Sequence, residues 1–360
     1  LGIRHDDFHE WFIHSGPILP ADVETSIQQL RFYLDEKKAG LFRMEAAGSA
    51  TGIQVLQSLL KMVFGASQPA LTVLLDPFAP DGRLSGLFFH ALAGPPLKTI
   101  HSRSGQTARL FETPQVQMAA LANLHPRHKK SAPERQAAEV FNTMAGLLQS
   151  AHMDTGHLVR TWFFNADILS WYDRFNATRN LFFQKAGLFK GVLPASTGVG
   201  LPNLNGAALT ACALAVRAKT PATSIREIKS MQCPAPHYGS AFSRAVEVTM
   251  PGHKRLYISG TASLGADGQT VHAANPEKQL RHTFQVVHHI LKSRGAGWNN
   301  AVRTTAYFTR RQDMAGFPKL CRRYGFPQTP FLLTGATLCR PDLLFEMELE
   351  VVQSIQNRKQ

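Results

Sequence analysis

The 360-residue sequence has no hydrophobic run of roughly 18 residues, the minimum length of a membrane-spanning helix. Its opening segment, from Leu1 to Trp11, contains His and Asp and no apolar stretch, so nothing in it predicts a secretory signal. We therefore expect a protein without a membrane segment that works in the cytoplasm.

Cysteine is scarce, and its spacing excludes two kinds of stabilising site. The four cysteines lie far apart, with no C-x-x-C pair, which argues against both a structural zinc site and a disulfide framework. Three histidines, His282, His288 and His289, share one predicted helix but have no carboxylate or thiol partner at ligand spacing. We expect no metal and no other cofactor.

The charge is unbalanced, at +14 from 39 basic and 25 acidic residues. Such an excess suits either nucleic acid or a small anionic substrate gripped by arginines. The basic residues are scattered, apart from one short cluster at residues 125–130, and they do not alternate with aromatic residues as on a nucleic-acid-binding sheet. The pattern favours a small anionic molecule, with no nucleic-acid partner expected.

An internal repeat organises the chain. Residues 135–161 align without a gap with residues 278–304, and each copy predicts an amphipathic helix, a glycine-containing loop and a strand that opens with V-R-T. A second helix follows in each copy, over residues 168–183 and 311–323, and then a Thr-Gly pair that we expect to open the last strand. Repetition on this scale predicts two tandem α+β domains with helices on one face of each sheet.

The remaining sequence predicts less. Residues 1–40 look irregular apart from a helix over residues 22–34, and residues 41–64 give no clear pattern. Strands at residues 70–76 and 84–92 are expected to form a hairpin, and short strands are expected at residues 98–101 and 108–111. The predicted boundaries are an N-terminal domain with an extra segment at 1–217, a connector at 218–234 and a C-terminal domain at 235–360.

Residues 334–352 contain the closest grouping of candidate catalytic residues in the sequence. Cys339 and Arg340 precede a turn, and a strand follows in which Glu346, Glu348 and Glu350 alternate with apolar residues. Period-two alternation places the three glutamates on one face, which is either a solvated sheet edge or a site joining a thiol, a cation and a carboxyl group. The N-terminal copy lacks Cys-Arg and Glu after its own Thr-Gly pair, which favours a chemical role for Cys339, Arg340 and Glu346. Glu348 and Glu350 are expected to be solvated or paired.

The motifs F-S-R-A-V, Y-I-S-G-T, V-R-T and C-R-P-D-L-L-F-E-M-E resemble the RidA/YjgF family over residues 235–352. The resemblance implies a chorismate-mutase-like α+β fold, trimers with clefts between subunits, and an arginine at the position of Arg340 that binds a substrate carboxylate. Two tandem copies, the N-terminal one degenerate, resemble the chorismatase family over residues 135–352. That resemblance implies a pyruvate-releasing enzyme acting on chorismate, either a monomeric pseudo-oligomer or a homotrimer.

Within that family, the resemblance places the catalytic glutamate at Glu346. Cys339, seven residues earlier, matches a cysteine of the branch that makes 3-hydroxybenzoate, and Gly239 matches a glycine of the same branch. Relatives also form 4-hydroxybenzoate. We expect one working site in each chain, on the C-terminal domain.

Chorismate carries two carboxylates, so its site needs cationic groups, and arginine meets a carboxylate with two parallel hydrogen bonds. The alternative for Arg160 and Arg303 is an ion pair at a domain interface, and the alternative for Arg179 and Tyr172 is a solvated or packed helix face. The expected substrate-binding residues are Arg340, Arg160, Arg179, Arg303, Tyr172, Tyr238, Gly239, Ser240, Gly260 and Thr334.

The reaction also needs a general acid that is protonated near neutral pH. Burial gives a carboxyl group that property, and for Glu346 the burial must come from another element, such as the N-terminal domain. Cys339 would assist aromatisation as a thiolate or as a proton carrier.

Two other functions fit the same residues. A RidA-type enamine or imine deaminase would use the same arginine, without a partner domain. A non-catalytic protein that binds RNA or a metabolite would explain the sequence pI of about 9.9.

Overall fold

The computed structural model describes residues 1–5, 7–102, 105–326 and 331–355. Within these ranges the chain forms three β-sheets, and helices from the same part of the chain cover one face of each. The expected α+β class is confirmed. No helix in the described ranges is long and apolar enough to cross a membrane.

The first unit occupies residues 2–93, and its sheet has the strand order β1-β2-β5-β3-β4. Its strands are β1 (Gly2–Arg4), β2 (His9–Ser15), β3 (Gly40–Gly48), β4 (Ala70–Leu75) and β5 (Leu84–Ala93), and its helices are α1 (Val23–Glu36) and α2 (Ala50–Phe64).

The second unit occupies residues 98–218, with the strand order β10-β9-β11-β8-β7-β6. Its strands are β6 (Lys98–His101), β7 (Thr107–Glu112), β8 (Val116–Leu124), β9 (Leu158–Asn165), β10 (Ala195–Val199) and β11 (Leu209–Ala218), and its helices are α3 (Pro133–Ser150) and α4 (Ile168–Lys185).

The third unit occupies residues 224–354, with the strand order β12-β13-β14-β17-β15-β16. Its strands are β12 (Ser224–Ile228), β13 (Ala245–Met250), β14 (His253–Ala262), β15 (Ala301–Phe308), β16 (Leu332–Gly335) and β17 (Phe345–Ser354). Its helices are α5 (Pro276–Ser293) and α6 (Phe317–Arg323), the latter preceded by a 3-10 turn at Arg311–Gly316.

All three units share one connectivity. In each, the strand after the first helix pairs in parallel with an edge strand and in antiparallel with the last strand, as for β3, β4 and β5. The same pairings join β9 to β10 and β11, and β15 to β16 and β17. The tandem arrangement expected from the repeat is therefore present. A further unit of the same topology occupies residues 2–93, where the sequence predicted a helix and two strands but no separate unit.

Several local predictions were wrong. The strands at residues 70–76 and 84–92 do not form a hairpin, because β5 lies between β2 and β3 while β4 pairs only with β3. The sequence of β5 is apolar on both faces, as a central strand requires. The Thr-Gly pairs lie within β10 and at the end of β16, so they belong to the parallel edge strands and do not open the last strands.

The boundaries at 217 and 235 stay a prediction. The expected connector contains β12, which pairs with β13, and the final residues of the expected C-terminal domain, 356–360, lie outside the described ranges. Strand β8 was not predicted.

Local sequence explains where key helices begin and end. Ser49 caps α2 by accepting a hydrogen bond from the Gly52 N–H at 3.1 Å, and Gly65, with a φ of +51°, ends the helix. Asn275 caps α5 in the same way, and Pro276 occupies its first turn.

The uncovered faces of the three sheets meet in one central core. One apolar cluster joins Phe12 and Phe88 of the first unit with Trp162 of the second and with Tyr257 and Tyr307 of the third. Three further clusters lie between the individual sheets and their own helices. The sheets therefore surround a common centre, and the helices lie outside.

Three arginines occupy equivalent positions in this core. Arg43, Arg160 and Arg303 lie opposite His90, Leu214 and Glu350, respectively, on the last strand of each unit. All three are nearly inaccessible to solvent.

The glutamates of β17 face these arginines. Arg160 pairs with Glu348 at 2.5 Å, and Arg43 pairs with Glu350. Arg303 pairs with Glu348 and, at 2.6 Å, with Glu45. The solvated interpretation of this strand was wrong: its acidic face points to the centre, and its apolar face packs beneath α5.

Candidate active site

A cavity of about 170 Å³ lies between the second and third units. Helix α4 and strand β10 form the wall from the second unit. The third unit contributes the segment before β13, the end of β14, and the loop that leads into β17. The lining residues are Tyr172, Asp173, Asn176, Arg179, Ser196, Gly198, Tyr238, Ser240, Phe242, Arg244, Gly260, Ala262, Leu264, Cys339, Arg340, Leu343 and Glu346.

Glu346 supplies a carboxyl group to this cavity. The residue is only 5% exposed, and the described residues offer its carboxyl group no hydrogen bond. Burial, assisted by the negative charge of Glu348, raises the pKa of Glu346 to about 8, against the opposing effect of Arg160 and Arg244. At neutral pH the carboxyl group is therefore largely protonated.

The Glu346 carboxyl group lies directly against the backbone of Gly260. A Cβ on Gly260 would overlap Glu346 Oε1 and would lie 3.0 Å from the Glu346 carboxyl carbon and from Thr197 Oγ1. The Gly260 N–H donates to Thr197 Oγ1 at 2.9 Å. Strand β10 of the second unit thus helps to bury Glu346, as the sequence required of another element.

Two arginines, Arg340 and Arg244, line the cavity wall that the third unit forms. Arg340 donates from Nη1 to the Gly268 carbonyl at 2.7 Å, and Arg244 donates from Nη2 to the Cys233 carbonyl at 2.6 Å. Their guanidinium carbons lie 5.6 and 5.4 Å from the centre of the Tyr238 ring. These cation–π contacts orient both cations at the cavity wall.

Arg179 brings a third cation from the second unit. Its side chain is buried, and it donates to Asn176 Oδ1 at 2.8 Å while its Nε has no partner among the described residues. The alternative of a solvated helix face was wrong for this residue. Because an unsatisfied buried donor is costly, Arg179 is well suited to an anionic ligand.

Cys339 lies in the cavity as a neutral thiol. Burial, reinforced by the Glu346 carboxyl group once it has ionised at higher pH, raises the pKa of Cys339 to about 12. Tyr172 lies in the same cavity, and burial raises its pKa as well. A pKa this high favours the thiol form at neutral pH, and both expected roles of Cys339 stay predictions.

Four of the expected substrate-binding residues do not line the cavity. Arg160 and Arg303 lie behind it, with their guanidinium groups engaged by Glu348 and Glu45, so the ion-pair alternative describes their contacts. Thr334 is buried in β16, where its hydroxyl donates to the Gly335 carbonyl.

Gly239 is the fourth of these. Its φ of +86° forms the turn between Tyr238 and Ser240, which both line the cavity. Its carbonyl accepts a hydrogen bond from Asn180 Nδ2 at 2.8 Å.

The sequence missed Arg244, Asn176 and Ser196 as cavity residues. Arg244 could have been predicted from the sequence, because it is the arginine of the F-S-R-A-V motif. Asn176 and Ser196 lie in the motifs Y-D-R-F-N-A-T-R-N and P-A-S-T-G-V-G of the N-terminal copy, but they enter the site only when the second unit packs against the third.

The two other interfaces carry different residues at the positions equivalent to this cavity. Between the third and first units, Gly335 donates its N–H to Asp76 Oδ1 at 2.9 Å, and Pro77 and Phe78 lie against its backbone. On the last strand of the first unit, Gly86 has the position that Glu346 has in the third unit. Gly86 lies opposite Ala47 and Glu346 lies opposite Tyr307, and these two partners follow the equivalent arginines, Arg43 and Arg303, by the same number of residues.

Between the first and second units, the Thr72 hydroxyl donates to Cys212 Sγ at 3.3 Å, and Thr210 takes the position of Glu346. Neither of these interfaces has a carboxyl group at the position of Glu346.

Comparison with known proteins supports this architecture. Residues 234–353, about a third of the chain, match the family described as endoribonuclease L-PSP, which confirms a RidA/YjgF-type domain in the C-terminal part. No curated protein matches the chain.

Among solved structures, the fold is similar to a crystal structure of a chorismatase, with a TM-score of 0.66 and 17% sequence identity over 95% of this chain and 98% of that chain. The resemblance to chorismatases is thus confirmed for the fold.

Single-unit structures match a smaller part of the chain. A putative endoribonuclease L-PSP from Entamoeba histolytica is 18% identical over 36% of this chain and 100% of its own, with a TM-score of 0.31. TdcF from E. coli, solved with bound serine, is 16% identical over 36% of this chain and 99% of its own, with a TM-score of 0.30.

Proposed function

We propose that the protein cleaves the enolpyruvyl ether of chorismate and releases pyruvate, with Glu346 as the general acid. The observation that carries the proposal is a buried, largely protonated carboxyl group that faces a cavity lined by Arg340, Arg179 and Arg244. The chorismatase-like fold agrees with it.

The three arginines suit a small dianion. Arg179 faces the cavity from the second unit, and Arg340 and Arg244 face it from the third. Two carboxylates on one substrate can therefore be held from opposite walls, each by a cation that stays charged. A cavity of about 170 Å³ suits a single small metabolite rather than a length of RNA.

Glu346 begins the reaction by giving its proton to the enolpyruvyl methylene carbon. The ether carbon becomes an oxocarbenium ion, and Glu346 becomes a carboxylate. If water adds to that carbon, the adduct collapses to pyruvate and a dihydrodiol, and a proton from the water returns to Glu346. A neutral acid is needed only for the first step, which matches the raised pKa of Glu346.

We propose 3-hydroxybenzoate as the main product, formed without net consumption of water. In this route the ring hydroxyl oxygen bonds to the neighbouring ring carbon while the bond from that carbon to the ether oxygen breaks, and the ether oxygen leaves as the carbonyl oxygen of pyruvate. The resulting epoxide opens with its oxygen on that carbon, the carbon loses its hydrogen as a proton, and the oxygen takes up one proton to become the phenol. Of the hydroxyl proton and the ring proton, one therefore ends on the product and the other returns to Glu346. We assign this transfer to Cys339, whose neutral thiol lines the same cavity and would pass its own proton on as it takes one up.

The test measures pyruvate release from chorismate through a coupled dehydrogenase. We expect turnover by the unaltered protein and a loss of about 10²- to 10⁴-fold in Glu346→Gln, the range for removing a general acid. Glu277→Gln, at an exposed glutamate of α5, serves as the matched control and should retain full activity. No pyruvate above background, or full activity in Glu346→Gln, would contradict the proposal; ammonia release from a 2-aminoacrylate source would favour a deaminase instead.

A further inference from the structure

Glu348 is the most heavily hydrogen-bonded carboxylate behind the cavity. It lies two residues from Glu346 on the same face of β17, yet it does not line the cavity. Its Oε2 accepts from Arg160 at 2.5 Å and from Thr197, and its Oε1 accepts from Trp162 Nε1 at 2.8 Å and from Arg303. Four donors from two units therefore converge on one carboxylate.

One of those donors connects Glu348 to the backbone under Glu346. Thr197 Oγ1 contacts Glu348 and also accepts the Gly260 N–H at 2.9 Å. Glu346 rests directly over Gly260. The position of the acid thus depends on a short chain from Glu348 through Thr197 to Gly260.

Another donor, Arg160, is a cation that Glu348 keeps occupied. Arg160 Nη2 contacts Glu348 and Thr197, both at 2.5 Å, and Nη1 donates to the Thr161 carbonyl at 3.4 Å. No hydrogen bond joins Arg160 to Glu346 within the described ranges. An arginine free to pair with Glu346 would convert it to a carboxylate and remove the general acid.

We propose that Glu348 is a positioning residue for the reaction proposed above. It holds the Arg160 guanidinium away from Glu346 and, through Thr197, fixes the Gly260 backbone, so that Glu346 stays uncharged in the cavity. The inference rests on the proposed function only for its role in turnover, because the protonation of Glu346 is measurable without any substrate.

The electrostatics agree with this geometry. Burial favours the neutral form of Glu348, but the positive charges of Arg303 and Arg160 outweigh burial and lower the pKa of Glu348, so Glu348 is charged. The negative charge of Glu348 raises the pKa of Glu346, whereas Arg160 and Arg244 lower the pKa of Glu346. Arg244 is itself held by the Cys233 carbonyl.

Among the other ionisable groups around Glu346, Tyr307 lies opposite it on β15, and the others line the same cavity; all stay unchanged in the proposed variants. Helix α4 contributes Tyr172, Asp173 and Arg179; the segment before β13 contributes Tyr238; and the loop before β17 contributes Cys339 and Arg340.

The experiment records activity against pH. The unaltered enzyme should lose activity as pH rises through about 8, because the active form carries the proton on Glu346. Glu348→Gln removes a negative charge and frees Arg160, so this basic limb should move to lower pH by about one unit or more. Arg160→Gln should move it to higher pH, and Glu348→Asp, which keeps the charge, should restore it towards the original position.

Glu350→Gln is the matched control. Glu350 is also a buried carboxylate on the same face of β17, paired with Arg43, but it lies about 7 Å further along the strand from Glu346 than Glu348 does. It should lose stability without moving the basic limb. If Glu348→Gln does not fold, the opposite shift in Arg160→Gln still tests the inference.

A second readout separates this inference from the proposed function. The carbonyl stretch of the protonated Glu346 carboxyl group, obtained as an infrared difference against Glu346→Gln, should disappear at a lower pH in Glu348→Gln than in the unaltered protein. That shift without pyruvate release would support the role of Glu348 and reject the proposed reaction. The inference would be overturned if neither the pH at which the infrared band disappears nor the basic limb of the activity profile shifted in Glu348→Gln and Arg160→Gln. An equal shift in Glu350→Gln would also overturn it.

Discussion

Replacing Gly260 by alanine tests whether the position of the Glu346 carboxyl group matters as the structure requires. The substitution adds one carbon at the point where the carboxyl group rests on the backbone. That carbon would overlap Oε1 and would lie 3.0 Å from the carboxyl carbon. The φ of Gly260 is not positive, so alanine meets no backbone strain there, and the contact alone sets the effect.

The size of the effect follows from the displacement. Ordinary contacts between carbon atoms lie at about 3.5–4.0 Å, so the carboxyl carbon must move by about 0.5–1 Å, and Oε1, which the added carbon overlaps, must move further. A misplacement of about 1 Å at a reacting group can cost about 100-fold in rate, which corresponds to about 2.7 kcal/mol in activation free energy. We therefore expect kcat for pyruvate release to fall by about two orders of magnitude.

Gly198→Ala provides the matched control for this prediction. Gly198 also lines the cavity, but its added Cβ would lie 3.8 Å from the Tyr172 ring, an ordinary contact. The assay compares kcat and the thermal unfolding midpoint of both variants with the unaltered protein. A folded Gly260→Ala protein with the same kcat as Gly198→Ala would refute the placement of Glu346 over Gly260.

Two further predictions concern the substrate and the product. Arg179→Lys keeps the positive charge but loses the planar fork, so we expect KM for chorismate to rise by about tenfold with a smaller change in kcat, measured by initial rates; an unchanged KM would show that Arg179 does not bind a substrate carboxylate. Cys339→Ala should keep pyruvate release while chromatography shows hydroxybenzoate replaced in part by dihydrodiol, and an unchanged product ratio would exclude Cys339 from the aromatising step.

The sequence located one half of the site well. Cys339, Arg340 and Glu346 lie close together in the chain, and alternation along one strand was sufficient to place the glutamate on the face opposite Phe345 and Met347. The structure places all three residues in one cavity. Their absence from the N-terminal copy was the informative signal, because the same fold forms there without them.

The other half depends on packing between units, which no local pattern encodes. Arg160 and Arg303 stand at the start of matched strands, and arginine in that position suits a substrate clamp as well as a buried ion pair. The choice depends on where their partners lie, and Glu45 comes from the first unit, far away in sequence. That unit was itself missed, because its strand β3 carries F-R-M in place of V-R-T and gives no visible repeat.

Three copies of one unit around a shared centre create three equivalent interfaces, so the fold alone does not explain why the cavity beside Glu346 lies at one of them and has no counterpart with a carboxyl group at the other two. The difference is in the residues that fill each interface. Pro77 and Phe78 occupy the one beside Gly335, and Thr72 contacts Cys212 at another. At the remaining interface the last strand carries Glu346 where the others carry Gly86 and Thr210.

The buried centre then links assembly to chemistry. Burying an ion pair gains little stability by itself, because desolvation offsets most of the attraction. Stability alone therefore does not explain the ion pairs that Glu348 forms, but their position beside Glu346 does. The carboxylate that joins Arg160 of the second unit to Arg303 of the third is also the nearest charged neighbour of Glu346 along β17, so closing the interface and keeping the acid protonated require the same residue.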